Sequence, residues 1–209
     1  MPSPHEFDYS VPYDIMVGVW TGVTITYGPT GHYLSTAASN VVIYWHKANE
    51  LMHFRQVEQD GIAPLKDENF KANLNAVRSS KLFQSKKSHN LSQLSSSMDQ
   101  LKDAKYLESI ADVMVMEFDL HVFGKHASGS SSVMDVTGVN SRPDTYLFHL
   151  RRKDGAQSWF NNQYFTNANE RQIIGPQLDK DGNIQMVLAQ TFSRVSYEVP
   201  EKYKHELKA

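Results

Sequence analysis

The chain has 209 residues, of which 40% are hydrophobic, and its formal net charge is -2 at pH 7. This length and apolar content allow a sizeable core, and the nearly balanced charge argues against a dedicated nucleic-acid binder or a polybasic membrane anchor. The absence of cysteine excludes disulfides, thiol nucleophiles and cysteine-based zinc sites.

The N-terminal segment, residues 1–14, contains three prolines and is expected to form an extended arm. It has no apolar core of the kind that a signal peptide carries, and no apolar run in the chain reaches the length of a transmembrane helix. We therefore expect a soluble cytoplasmic protein.

Alternating apolar and polar residues predict three antiparallel strands in the first third of the chain. The first begins at Val17, the second spans 40–47 and the third spans 50–58. The residues Gly28-Pro29-Thr30-Gly31 are typical of a turn and predict one after the first strand. Three consecutive antiparallel strands predict a meander.

The pattern changes at residues 62–111, which are polar and rich in Ser, Lys, Asn and Gln. Apolar residues there recur at helical spacing. Two interpretations stand: one or two helices that cover a barrel mouth, or a mobile surface insertion. In either case the segment is a candidate surface for a protein partner.

Strand patterns resume after residue 112, and residues 124–132 are interpreted as a loop. The dipeptide Asp154-Gly155 predicts a hairpin with a type I′ turn. The charged residues 201–209 are expected to form a short helix or a tail. With eight or nine strands in total, the sequence predicts one all-β antiparallel domain over residues 1–209. The strands after residue 112 are predicted at 113–123, 132–139, 146–153, 157–165, 171–177 and 184–199.

Gly18 and Trp20 on the first strand, together with Arg194 on the last, resemble the closure signature of calycins, the lipocalin-like barrels. The resemblance implies that the arginine stacks on the tryptophan and seals one end of a barrel that holds a cavity. We interpret these three residues as structural rather than as ligand contacts.

The strand at 113–123 places titratable residues on one of its two faces. Glu117, Asp119 and His121 share that face, and His149 lies on a later strand. If the face is internal, these residues form an acid/base array, because burial and like charge would separate the carboxylate pKa values. If it is external, it is an ordinary solvated face.

Several strand histidines could build a metal site if they pointed inward. However, no pair has a ligand spacing such as His-x-His or His-Glu-x-x-His. The sequence therefore favours histidines satisfied singly by neighbouring strands or solvent, and it predicts no metal and no cofactor.

Aromatic residues are abundant on the predicted strands and, with scattered Arg and His, would suit a cavity for a flat or conjugated ligand. Arg171, which follows an Asn-rich corner, is a candidate clamp for an anion or carboxylate at a barrel mouth. The alternative is a structured corner with no ligand. The candidate ligand-binding residues are Tyr44, His46, His53, Arg55, Phe123, Trp159 and Arg171.

Two C-terminal runs, Tyr164-Phe165-Thr166-Asn167-Ala168-Asn169-Glu170-Arg171 and Ala189-Gln190-Thr191-Phe192-Ser193-Arg194, resemble the S-type phycobilin lyases and their uncharacterised relatives. Members of that family also begin with a Gly-x-Trp strand. The resemblance covers both ends of the chain but not residues 60–112, and it departs at Glu170, where an apolar residue is expected. It implies a calycin barrel that binds a linear tetrapyrrole and delivers it to a protein cysteine.

Three functions follow as hypotheses. The first is a carrier or chaperone for a small hydrophobic or conjugated molecule. The second is a cofactor-independent lyase, isomerase or cyclase that uses the acid/base residues inside the barrel. The third is an interaction domain that acts through 62–111. The expected partners are a small-molecule ligand and, at most, further copies of the chain, with no nucleic acid and no membrane.

Overall fold

A computed structural model describes residues 11–48, 50–60, 113–201 and 204. The predicted insertion at 62–111, the start of the N-terminal arm and most of the predicted tail at 201–209 lie outside the described residues. Within the described part of the chain, no helix is long and apolar enough to cross a membrane.

The described residues form ten strands, preceded by a 3-10 turn at Asp14–Met16. The strands are β1 (Gly18–Tyr27), β2 (Tyr33–Lys47), β3 (Leu51–Asp60), β4 (Val113–Phe123), β5 (His126–Ser130), β6 (Met134–Arg142), β7 (Thr145–Arg152), β8 (Gln157–Asn167), β9 (Glu170–Asp179) and β10 (Ile184–Ser196).

The strands form a closed up-and-down barrel in which each strand pairs antiparallel with the next along the chain. The last strand, β10, pairs antiparallel with β1, so that Arg194 lies opposite Trp20. The closure leaves the sheet without a free edge. The predicted all-β antiparallel barrel of at least eight strands is confirmed.

The predicted loop at 124–132 was wrong, because β5 occupies part of it. The sequence pattern missed this strand since Ala127 is its only buried residue. Gly129 also interrupts the alternation of apolar and polar residues along β5, and close packing against β4 requires glycine at this position. A Cβ atom there would lie 2.1 Å from the carbonyl oxygen of Asp119 on β4.

The Asp154-Gly155 hairpin forms between β7 and β8, but its turn is not type I′. That turn requires positive φ at both central residues, whereas Gly155 alone of the two has a positive φ, of 72°. The Asp154 carboxylate instead accepts a hydrogen bond from the backbone N–H of Ala156 at 2.9 Å. The turn prediction was right in position and wrong in type.

The inward side chains fill the barrel interior. A small space lined by Phe54, Phe118 and Gln163, among others, measures about 10 Å³, which is about enough for one water molecule. The buried apolar residues of the core cluster on the strands are Trp20, Val41, Ile43, Met52, Phe54, Phe118, Leu120, Val122, Ala127, Val136, Tyr146, Phe148, Leu150, Phe165, Ile173 and Phe192.

One end of the barrel is covered by the residues that precede β1. Tyr13, Ile15 and Met16 are buried there against the core. The indole N–H of Trp20 donates to the Met16 carbonyl at 2.9 Å, and the Tyr13 hydroxyl donates to the Lys125 carbonyl at 3.1 Å. We call this end of the barrel the closed end.

Candidate functional site

The three residues of the predicted closure signature meet at the closed end. The guanidinium carbon of Arg194 lies 4.0 Å from the centroid of the Trp20 ring. Its nitrogens donate to the carbonyls of Ile15 at 2.7 Å and Ala168 at 3.0 Å, and to that of Val17. A Cβ atom at Gly18 would lie 2.9 Å from the same guanidinium, so this position favours glycine.

Arg171 is the second arginine at this end, and it lies inside the barrel. Its side chain on β9 is fully buried. Its guanidinium carbon is 4.8 Å from the Trp20 ring centroid and 4.7 Å from that of Phe192. Within the described part of the chain, none of its three guanidinium nitrogens has a hydrogen-bond partner.

The charge of Arg171 is therefore poorly compensated. Burial, and secondly the positive charge of Arg194, lower the pKa of Arg171 to about 9. An unpaired buried ion costs several kcal/mol, and each stacked aromatic ring returns about 0.5–2 kcal/mol. The rings stabilise the charge but leave the N–H donors of the guanidinium unsatisfied.

Gln163 adds a second unsatisfied polar group to the interior. It points inward from β8 and is buried, and its Oε1 has no hydrogen-bond partner among the described residues. Gln190, another buried interior amide, is paired, since it donates to Thr24 at 2.8 Å. The sequence does not distinguish Gln163, because the run 161–163 resembles an ordinary polar corner.

The predicted ligand-binding residues divide between the two faces of the sheet. Arg171 is buried inside, near the closed end rather than at an exposed mouth, and Trp159 packs partly buried against the core. Phe123 is 65% exposed. The other four lie on the outer face of β2 and β3, opposite the core residues of those strands, and they are Tyr44, His46, His53 and Arg55.

The four predicted acid/base residues also face outward. Phe118 and Leu120 of β4 belong to the core, so the alternating Glu117, Asp119 and His121 lie outside. His149 lies on the outer face of β7, stacked on Phe160 with ring centroids 4.4 Å apart. The structure therefore does not bring these four residues together inside the barrel.

Three of the outward-facing residues do form a compact cluster. The Nδ1 atom of His53 is 2.8 Å from Oδ1 of Asp119, and the Nε2 atom of His46 is 3.6 Å from the same oxygen. The two imidazole rings are 5.4 Å apart between centroids. We call His46, His53 and Asp119 the outer-face cluster.

The surroundings of the outer-face cluster are buried and charged. Nε2 of His53 lies 3.3 Å from a carboxylate oxygen of Glu117, and Nε of Arg55 lies 3.8 Å from the other. Tyr44 packs against both imidazoles, with ring centroids 4.9 and 5.0 Å away. Burial lowers the pKa of His46; Asp119 opposes this shift and His53 adds to it.

A polar depression lies on the outside of the closed end, with a volume of about 400 Å³. Arg194 forms part of its wall, together with Asn169 and Tyr197. These groups bind one another or the backbone: the Tyr197 hydroxyl donates to Asn169 at 2.6 Å. The depression therefore presents few unsatisfied groups to a ligand.

No protein-family model matches the chain, and no curated protein matches it. Solved structures do. A DUF3598-family protein of unknown function from Nostoc punctiforme is 9% identical with a TM-score of 0.53, over 87% of this chain and 48% of that one. The chain thus spans about half the length of that protein.

The S-type phycobiliprotein lyase CPES from Guillardia theta is 8% identical with a TM-score of 0.50, over 87% of this chain and 89% of the lyase. Rv2717c from M. tuberculosis is 11% identical with a TM-score of 0.46, over 86% of this chain and 92% of that one. At these identities the likeness is one of fold. The expected resemblance to the S-type lyases is confirmed at that level.

Proposed function

We propose that the protein is a carrier or chaperone that binds a small organic anion with a flat, apolar body inside the barrel. The observation that supports this most is the buried guanidinium of Arg171, which has no hydrogen-bond partner within the described residues. A carboxylate or sulfonate next to it would supply the missing charge and accept its N–H donors in bidentate geometry.

The surroundings of Arg171 indicate the shape of the ligand. Trp20 and Phe192 flank the guanidinium. The Phe165 ring packs edge-on against the Trp20 ring, with the ring centroids 5.8 Å apart. Aromatic walls of this kind suit flat conjugated molecules. The buried amide of Gln163, one inward position along β8 from Phe165, offers a further polar contact.

The fold likeness to an S-type phycobiliprotein lyase is consistent with a conjugated ligand. Biliverdin, a conjugated linear tetrapyrrole with carboxylate groups, combines both required features and is a suitable probe. Since the small interior space measures about 10 Å³, a ligand would enter only if interior side chains shift. We therefore expect slow association compared with a preformed pocket.

Binding by the barrel is favoured here over catalysis. The proposed lyase, isomerase or cyclase required Glu117, His121 and their partners to face the interior, and they face outward. The interior residues that support the proposal, Arg171 and Gln163, offer a charge and an amide but no acid/base pair.

Two fluorescent probes with the same aromatic body test the proposal. Anilinonaphthalene sulfonate carries an anionic group, and N-phenylnaphthylamine does not. We expect the protein to bind the sulfonate at least about tenfold more tightly, which corresponds to about 1.4 kcal/mol. Arg171→Met should abolish this preference and leave the affinity for the neutral probe unchanged.

Arg171→Lys is the matched control, because it keeps the charge and should retain part of the preference. Biliverdin should displace the sulfonate from the wild-type protein. Equal affinity of the wild-type protein and Arg171→Met for the sulfonate would overturn the proposal, since the probe would then bind elsewhere.

A further inference from the structure

We propose that the outer-face cluster, His46, His53 and Asp119, is a binding site for a divalent transition-metal ion, with Zn²⁺ the best fit. The three side chains come from three adjacent strands, β2, β3 and β4, and one potential ligand atom from each lies within 4.8 Å of the others. The site is on the opposite face of the sheet from Arg171, so it is independent of the proposed anion site.

The distances match the size of a coordinated ion. Zinc binds imidazole nitrogen and carboxylate oxygen at about 2.0–2.2 Å, so two ligand atoms of a tetrahedral site lie about 3.3 Å apart. The Asp119 oxygen is 2.8 Å from Nδ1 of His53 and 3.6 Å from Nε2 of His46. These two values lie on either side of the tetrahedral separation, and the two imidazole nitrogens lie within 4.8 Å of each other, so the rings would have to turn toward a common point to bind an ion.

The surroundings hold the ligands in place. A ligating histidine usually donates its second ring N–H to a carboxylate, which fixes the tautomer and raises the basicity of the ligand. A carboxylate oxygen of Glu117 lies 3.3 Å from Nε2 of His53, so a small rotation would let it accept the ring N–H, while Nδ1 already faces Asp119. Arg55 in turn approaches the other oxygen of Glu117 at 3.8 Å.

Burial distinguishes the cluster from a chance group of surface residues. The side chain of His53 is 6% exposed and that of His46 is 9% exposed, while Asp119 is 38% exposed. Tyr44, which contacts both imidazoles, is also buried. The histidines are thus packed in place, and Asp119 provides the side of the site that water reaches.

The chemical types of the three ligands indicate which metal ion would bind. Two imidazoles and a carboxylate suit Zn²⁺, Co²⁺ or Ni²⁺, whereas Mg²⁺ and Ca²⁺ prefer oxygen ligands. Three protein ligands leave a fourth tetrahedral position for water at the solvent-facing side. The competing interpretation is a metal-independent pair between His53 and Asp119 that only joins β3 to β4.

Cobalt titration of the full-length protein, stripped of metal with a chelator, separates these interpretations. We expect one Co²⁺ per chain, with the visible absorption of a tetrahedral complex, and displacement of Co²⁺ by Zn²⁺ but not by Mg²⁺. Equilibrium dialysis with Zn²⁺ should give the same stoichiometry. Absence of Co²⁺ and Zn²⁺ binding to the wild-type protein would overturn the proposal.

Substitutions then identify which side chains bind the metal. His46→Gln and Asp119→Asn should each abolish the cobalt spectrum, and Glu117→Gln should weaken the affinity about 10–100-fold. His46→Gln leaves the contact between His53 and Asp119 intact, so its fold should survive, which circular dichroism checks. His126→Gln, at an exposed histidine on β5, is the control and should bind as the wild type does. Unchanged binding in His46→Gln would place the metal elsewhere and refute the assignment.

Discussion

The guanidinium carbon of Arg194 lies 4.0 Å from the centroid of the Trp20 indole ring. The two residues are paired across the seam between β10 and β1, where the barrel closes. The same guanidinium donates to the carbonyl of Ile15 in the preceding turn and to that of Ala168 before β9. One side chain thereby joins the first strand, the last strand and the segment that covers the closed end.

Arg194→Met should lower the free energy of unfolding by about 3 kcal/mol or more. Methionine keeps much of the packing volume but leaves backbone carbonyls without donors and removes the cation–π contact, and hydrogen bonds to charged groups contribute about 1.5–3 kcal/mol each. Urea unfolding followed by tryptophan fluorescence measures the change. A loss below about 1 kcal/mol would mean that the seam does not depend on this arginine.

Arg171→Met, in contrast to Arg194→Met, should leave the free energy of unfolding unchanged or raise it. The guanidinium is buried without a hydrogen-bond partner among the described residues, and replacing a poorly compensated buried ion with an apolar side chain is often neutral or stabilises by about 1–4 kcal/mol. We expect the ligand-free variant to be at least as stable as the wild type in urea. The substitution is chemically the same as at Arg194, so the pair controls for size and hydrophobicity.

A clear loss of stability in Arg171→Met would show that the charge is well compensated in the folded state, which would weaken the anion proposal. In contrast, an anionic ligand at 100 times its dissociation constant should stabilise the wild type by about 2.7 kcal/mol and leave the variant unaffected.

The sequence was sufficient to predict most of the strands because alternation along a strand is a local signal. The barrel and the pairing of Trp20 with Arg194 were implied by the resemblance to the calycin closure signature. β5 could not be predicted, since Ala127 is its single buried residue and Gly129 is constrained by the backbone of a neighbouring strand.

The sequence could not show which face of each strand points into the barrel, and the physical reason is different. On β2, neighbouring residues from both faces are buried: Val42 is 1% exposed and Ile43 0%. Alternation therefore separates the two faces without showing which is internal. The sequence did not indicate the outer-face cluster for another reason: its members meet through the register of three strands rather than through local spacing.

Gly175→Ala tests the close approach of β9 to β8. A Cβ atom at Gly175 would lie 1.4 Å from the carbonyl oxygen of Phe160, and the neighbouring atom is backbone, which cannot rotate away. We expect a loss of about 3 kcal/mol or more in urea unfolding, because the two strands would have to separate locally.

Gly155→Ala is the comparison for that variant. Gly155 has a φ of 72°, and a Cβ atom added there would meet no atom within 4 Å. Alanine at this position therefore costs only the left-handed backbone penalty of about 1–2 kcal/mol. If both variants lost the same stability, the contact with Phe160 would contribute nothing beyond backbone conformation.

Tyr13 makes the folding stability of the protein depend on pH in the alkaline range. Burial, and secondly the charge of Tyr146, raise the pKa of Tyr13 well above its ordinary value of about 10. Above pH 10 the unfolded chain has lost this proton while the folded chain keeps it. The unfolded state then binds fewer protons, so stability falls as the pH rises, by up to about 1.4 kcal/mol per pH unit from this group.

Tyr13→Phe isolates that contribution. At about pH 8 the variant should be roughly 1 kcal/mol less stable than the wild type, because the Lys125 carbonyl loses the hydroxyl that donates to it at 3.1 Å. By about pH 11 the difference should shrink or reverse, since phenylalanine has no proton to lose. Urea unfolding of both proteins across this range measures the trend, and a stability difference that stays constant with pH would show that Tyr13 ionises equally in the folded and unfolded chains.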